Sequence, residues 1–276
     1  MPAAGDPDSL EAAALLEAVH RKPERQLEWL RRAAAAAPDR PDLVWLELRT
    51  CAYVAGCDLA SLRAQLHCLD PDNGAPWSAA LWLERKTGRV TAYEEDILAI
   101  SYSKRFDIYW NMTIAHASGA LIRLHRLDAR EALTHIIGLG TSILIALYHP
   151  LIVGCQRDRL GDAASLSTCR RLAAVLRSGD TSITEMVGVG IAMRAWPDGS
   201  AERNEAVRTL RAFHYIDDQE FRRAVAPASS DEATAGYLQL LATYRTEQEV
   251  AAADLKQAGF ATDPPADWVE PAMWSR

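Results

Sequence analysis

Apolar residues recur at steps of three and four along nearly the whole chain and never alternate for long. That period places them on one face of a helix and does not suit a strand. "DLASLRAQLHCLDPDN" is the clearest stretch. Leu59, Leu62, Leu66 and Leu69 make one stripe, Asp58 stands at the N-cap, and "DPDN" breaks the chain. Before it, "PERQLEWLRRAAAAAPDRP" gives a helix from about Pro23 to Ala37 with proline in its first turn. "DLVWLELRTCAYVAG" then puts Trp45, Leu48 and Ala52 on one face and stops at Gly56. The 276 residues, 49% of them hydrophobic and 24% charged, suffice for a large core. We expect an all-α protein with one helical domain over 1–276.

The helix-turn-helix rhythm repeats. Trp45, Trp77 and Trp110 lie 32 and 33 residues apart, each early in an expected helix and just after a polar or proline break: "RPDLVW", "DNGAPW", "RFDIYW". In spacing, small residues and the closing Pro71, this part of the chain resembles the tetratricopeptide repeat superfamily, whose period is about 34 residues. It departs from that pattern in being about two residues short and in carrying Gly56-Cys57-Asp58 at the turn. The resemblance implies antiparallel helix pairs over 23–124, stacked as a right-handed α-solenoid. It is nearly silent on function, and core packing explains the three tryptophans equally well.

Beyond Leu124 the rhythm loosens. Helices are expected near 128–148, 163–178, 181–195, 201–214 and 231–258, with N-cap signals at Asp180 and Ser230. The last carries a stripe of Tyr237, Leu241, Tyr244, Ala251 and Leu255, closed by Gly259. "TDPPADWVEPAMWSR", within 261–276, reads as an extended tail whose Trp268 and Trp274 dock on the body. Ala132 to Gln156 contains no Asp, Glu, Lys or Arg, long enough to cross a bilayer. Its His135, Thr141, Ser142, His149, Pro150 and three glycines, without basic flanks or an aromatic belt, favour a buried helix ending near Pro150.

Five cysteines remain to be explained: Cys51, Cys57, Cys68, Cys155 and Cys169. Zinc is disfavoured. The first two are separated by five intervening residues instead of forming a short knuckle, and the adjacent His67 and Cys68 point about 100° apart on a helix. No family signature of a catalytic thiol surrounds any of them. Disulfides fit better. Gly56 lets the chain reverse between Cys51 and Cys57, and Cys155 and Cys169 bracket a turn between two helices, leaving Cys68 as a buried thiol. Five reduced core cysteines in a cytoplasmic protein are the alternative.

"C…GCD" at Cys51, Cys57 and Asp58, "LDPDNGAPW", the later cysteine pair and the terminal "PPADW" also resemble motifs shared by a group of exported bacterial proteins. That resemblance implies a periplasmic or secreted setting and no particular chemistry. "MPAAGDPDSLEAAALL" lacks a basic start and an apolar run. The chain is therefore expected to be either cytoplasmic or a mature exported protein whose leader is replaced by Met1.

The net charge of −7, with Arg interleaved among Asp and Glu, excludes the basic stripe of a nucleic-acid binder. No P-loop, GxSxG, HExxH, GxGxxG or EF-hand pattern occurs. "GLG" at Gly138 and "GVG" at Gly188 read as close-packing points. His116, His125 and His135 do not share a helical face, and the acids at Asp217-Asp218 and Glu94-Glu95-Asp96 read as caps. No catalytic residue, cofactor or metal ligand is assigned. The expectation is a helical binding module for another protein, such as a toxin or secreted effector that it inhibits or to which it gives immunity. Glu94, Glu95 and Asp96, with Tyr93 and Tyr102 nearby, are the expected contact residues. An enzyme, a hydrolase with a dispersed active site, is the alternative.

Overall fold

The computed structural model describes residues 5–20, 22–124, 126–144, 148–225 and 231–270. These hold fifteen helices: α1 (Pro7–Ala18), α2 (Pro23–Ala36), α3 (Pro41–Cys51), α4 (Leu59–Leu69), α5 (Ala75–Ser78), α6 (Leu81–Lys86), α7 (Val90–Ser101), α8 (Trp110–Arg123), α9 (Ala129–Leu144), α10 (Tyr148–Gly154), α11 (Ala163–Arg177), α12 (Ser182–Ala195), α13 (Ala201–Val225), α14 (Asp231–Thr243) and α15 (Glu247–Gln257). There is no strand among them, only an isolated bridge between Asn73 and Arg105. The expectations at His125, Ser230 and Trp274 lie outside the described residues.

Consecutive helices pack as pairs: α1 on α2, α3 on α4, α6 on α7, α8 on α9, α11 on α12 and α14 on α15. Contacts between distant segments are superposed on this. α1 lies against α8 and α9, α8 and α9 also receive α14, and α7 packs on α11. Helix α8 therefore sits between the two ends of the chain. One cluster of buried residues runs from Ala12 and Leu15 through Trp45, Phe106 and Ile114 to Leu176 and Val250. Trp45 is fully buried, Trp110 is buried and Trp77 is half-buried against the same core. Helix α1 has no counterpart in the sequence reading, yet it buries Leu10 and Leu15.

Several local expectations hold. Asp58 caps α4 by accepting the Ser61 N–H, and Gly56 turns with φ +75°. Gly188 is a close-packing point: a Cβ there would stand 2.7 Å from the Arg177 nitrogen and 2.9 Å from the Ala173 carbonyl oxygen. In "GLG" it is Gly140 that is packed, 2.7 Å from the Trp110 ring by the same measure, whereas Gly138 faces open space. Others are corrected. The helix expected to end near 214 runs on to Val225. The helix expected over 231–258 is broken at 244–246, where Thr246 and Glu249 form a reciprocal capping box that starts α15. Cys68 is exposed, not buried. No described helix is long and apolar enough to cross a membrane.

The "LDPDN" stretch is a structural junction. Asn73 is 1% exposed, and its amide is fully used. Its Nδ2 donates to the Asp107 carbonyl (2.8 Å) and to the Tyr109 hydroxyl (3.0 Å). Its Oδ1 accepts the N–H groups of Ala75 (3.0 Å) and Asp107 (2.9 Å). Asp70 accepts from the Tyr109 hydroxyl at 2.8 Å and from the Arg105 guanidinium. Tyr109 is thereby held with φ +58°, a left-handed conformation that costs a non-glycine residue energy unless its surroundings enforce it. Replacing Asn73 by Ala strands several buried polar groups, each worth about 1–3 kcal/mol. Chemical denaturation should show a loss of about 3 kcal/mol or more; a loss below about 1 kcal/mol would mean that this junction does not hold the fold.

Candidate functional site

The loop that Asn73 and Asp70 hold, residues 105–109, is gripped from the other side by Asp180. That side chain is 1% exposed and accepts the N–H groups of Ile108 (3.0 Å) and Trp110 (2.9 Å), so it caps α8. The sequence places Asp180 as the cap of its own helix, but Thr181 takes that role by accepting the Thr184 N–H. The Asp180 carbonyl also accepts the Glu247 N–H at 2.9 Å. Glu247 in turn accepts the Ser182 N–H at 2.7 Å. The N-terminal ends of α8, α12 and α15 meet at this knot.

A cavity of about 270 Å³ opens beside it. Its walls are Ile108 and Trp110 from the start of α8, Ile137 and Thr141 from α9, Tyr148 from α10, and Ile183 from α12. Helix α13 adds Phe213, Ile216, Asp217 and Glu220, and α15 adds Glu247 and Gln248. Among the described residues lining it there is no Lys, Arg or His. The Tyr148 hydroxyl is tied to Thr184 (2.6 Å) and Thr181 (3.1 Å), which fixes its ring as wall. Ser182, Ile183 and Phe213 also line an apolar groove with Met186, Val187 and Arg194, so cavity and groove share an edge.

Burial governs the acids here. Glu247 is raised above the ordinary carboxylate range by desolvation, against hydrogen bonds from Ser182 and Trp110. Asp217 is raised by burial, with the neighbouring His214 pulling it down and Asp218 pushing it up. The sequence reads Asp217-Asp218 as a helix start, but the pair lies within α13. Asp217 faces the cavity and Asp218 pairs with Arg222 at 2.9 Å. Asp180 is pushed up to about 8 by complete burial and by the nearby Asp107 and Glu247, against its two backbone donors.

The expected contact residues divide. Tyr93 and Asp96 are buried, a correction to their expected place on the surface. The Tyr93 hydroxyl donates to the Pro150 carbonyl at 2.6 Å, and Asp96 pairs with Arg63 at 2.5 Å. Glu94, Glu95 and Tyr102 are exposed; Glu94 pairs with Arg159 at 2.8 Å, and Tyr102 lies under the Arg171 guanidinium. Tyr93 and Glu94 line a second cavity of about 400 Å³ with Arg159 and Cys169.

Both expected disulfides are present, Cys51–Cys57 and Cys155–Cys169, with Cα atoms 5.5 and 5.6 Å apart. The five cysteines thus form no metal site. One other cluster, Asp8, Glu11 and His116, brings ligand-type atoms within 4.8 Å of one another. The Arg40 guanidinium already serves it, at 2.8 Å from Asp8 and 2.9 Å from Glu11, and it also pairs with Asp42. Trp268 docks as expected, edge-on to Tyr215, while Arg211 holds the carbonyls of Pro265, Ala266 and Trp268. Comparison with protein-family models, with curated proteins and with solved structures found no match.

Two outcomes follow from this chemistry. Thiol counting on denatured, unreduced protein should find one free cysteine, Cys68. Removing either bridge should cost stability, about 2 kcal/mol for the shorter loop and about 3 kcal/mol for the longer. Five free thiols in protein prepared without reductant would contradict both bridges. The second outcome concerns Asp180. Its proton is bound more tightly in the folded state than in the unfolded chain, where the value is 3.8. The stability it confers is complete below pH 3.8 and drains as the pH rises to about 8. Melting temperature should fall across that interval and fall less steeply in Asp180→Asn; parallel profiles would refute the assignment.

Proposed function

We propose that this chain is a non-catalytic binding protein of an oxidising, extracytoplasmic compartment, and that its partner is another protein that presents basic side chains on an apolar surface. The observation that carries this reading is the cavity lined by Asp217, Glu220 and Glu247 on apolar walls, with no basic residue among the described residues lining it, sharing an edge with a largely apolar groove that includes Arg194. Such a site attracts a cation and excludes an anion. The net charge of −7 adds long-range attraction for a basic partner. The two disulfides support the compartment, since such bridges persist where the surroundings are oxidising. The hairpins α3–α4, α6–α7 and α8–α9, with Trp45 in α3, Trp77 in α5 just before the second and Trp110 in α8, support a tetratricopeptide-like stack, a right-handed α-solenoid, as the scaffold. Exposed Glu94, Glu95 and Tyr102, beside Arg159 and Arg171, form a second, mixed-charge edge for the same partner. A secreted toxin or effector held inactive by its inhibitor or immunity protein is the biological form that this pairing takes.

One observation favours a second reading. Asp217 and Glu247 are both lifted by burial and line one cavity, an arrangement that a hydrolase uses for general acid–base chemistry. Capture from extracts of the native organism separates the two. Under the binding reading a basic protein is retained in stoichiometric amount and is released by salt. Asp217→Lys weakens its retention about tenfold or more, as reversal of an interfacial charge does. Turnover of a small substrate, with no partner retained, would replace binding by catalysis.

A further inference from the structure

The cavity is more specific than a generic acidic surface. We propose that it takes an alkylammonium cation, a single positive charge on an apolar stem, as supplied by a lysine side chain or a small free amine. This rests on the binding reading above and names the chemistry of its central contact.

Size is the first argument. A cavity of about 270 Å³ is at or below the lower end of small-ligand pockets and accommodates a side chain or a small molecule, not a folded segment. Wall chemistry is the second. Ile108, Ile137, Ile183 and Ile216 supply a surface for methylene groups, and Trp110 and Phe213 supply aromatic faces that attract cations. The position of charge is the third. Asp217 comes from α13 and Glu247 from α15, so two separate elements bring carboxyl groups to one apolar space. Glu247 is held by the Ser182 N–H, which fixes where its carboxyl group stands. Burial lifts both acids, and a cation beside either would oppose that lift. A neutral ligand would leave the desolvated carboxylates uncompensated, and an anion would be repelled.

Calorimetric titration of the full chain with n-hexylammonium, n-hexanol and n-hexanoate tests this. Hexylammonium is expected to bind, hexanol about tenfold or more weakly, and hexanoate not measurably. Asp217→Asn should weaken hexylammonium about tenfold, with a circular dichroism spectrum like that of the parent. Ile183→Trp, which fills the mouth, should abolish binding without touching either carboxyl group. A capped lysine amide identifies the source: binding like that of hexylammonium assigns a lysyl side chain, and weaker binding assigns a free amine. Equal binding of hexanol, unchanged binding in Asp217→Asn, or no heat with any probe at millimolar concentration would overturn the proposal. These titrations need no partner, so their failure leaves the capture experiment intact, and failure of capture leaves a positive titration standing.

Discussion

The carboxyl group of Asp180 connects segments that lie far apart in the chain. It caps α8 through Ile108 and Trp110, while its own backbone carbonyl receives the N–H of Glu247. On the opposite side of the same loop, Asn73 and Asp70 close the backbone of Asp107 and the hydroxyl of Tyr109. Residues 105–110 are thus clamped between a motif that precedes them and two helix starts that follow. Asp70, Asn73, Asp107 and Asp180 are buried, and unmade hydrogen bonds cost far more there than at the surface. That is why Tyr109 can be kept at a positive φ, and why Trp110 enters α8 facing the cavity.

Charge is distributed by the same logic at the other end of the core. Glu11 and Asp42 are fully buried, and both turn to Arg40. Burial raises Glu11 well above its ordinary range, with Asp42 adding to the rise and Arg40 opposing it. Arg123 pairs with Asp8 at 2.9 Å and fastens α8 to α1. Helix α1 is therefore held to the middle of the chain by ions as well as by Leu15, while Leu10 packs with Ala33, Ala34 and Leu43. Breaking one partner of such a cluster leaves a buried charge unmatched, which costs more than the intact cluster contributes.

Helices with a strong stripe and a marked stop were legible in the sequence, because period and caps are local properties. The α2 and α4 boundaries, the Gly56 turn and both cysteine pairs are of this kind. What escaped depends on residues far apart. Asp180 has the look of an N-cap and is one, but for a helix seventy positions earlier. Tyr93 and Asp96 lie in a polar sequence, and only Pro150 and Arg63 explain their burial. The cavity draws on α8, α9, α10, α12, α13 and α15, so no window of sequence contains it. One local signal was readable and missed: Thr246 followed three residues later by Glu249 marks the break between α14 and α15. Without that break Glu247 would lie inside a helix instead of at the start of one.

That last placement decides the electrostatics of the cavity. The start of a helix carries partial positive charge on unpaired N–H groups, and acids nearby offset it. At the knot of α8, α12 and α15 acids serve these donors: Asp180 takes the first N–H of α8, at Trp110, with that of Ile108 just before it, and Glu247 takes the first donor of α12 from within the first turn of α15. Asp217 belongs to the middle of α13 and compensates no helix end. It lines the cavity among apolar walls. A group that serves the fold is matched within the fold, as Asp180 and Glu247 are. Asp217 instead meets the neighbouring His214, which pulls it down against burial and Asp218.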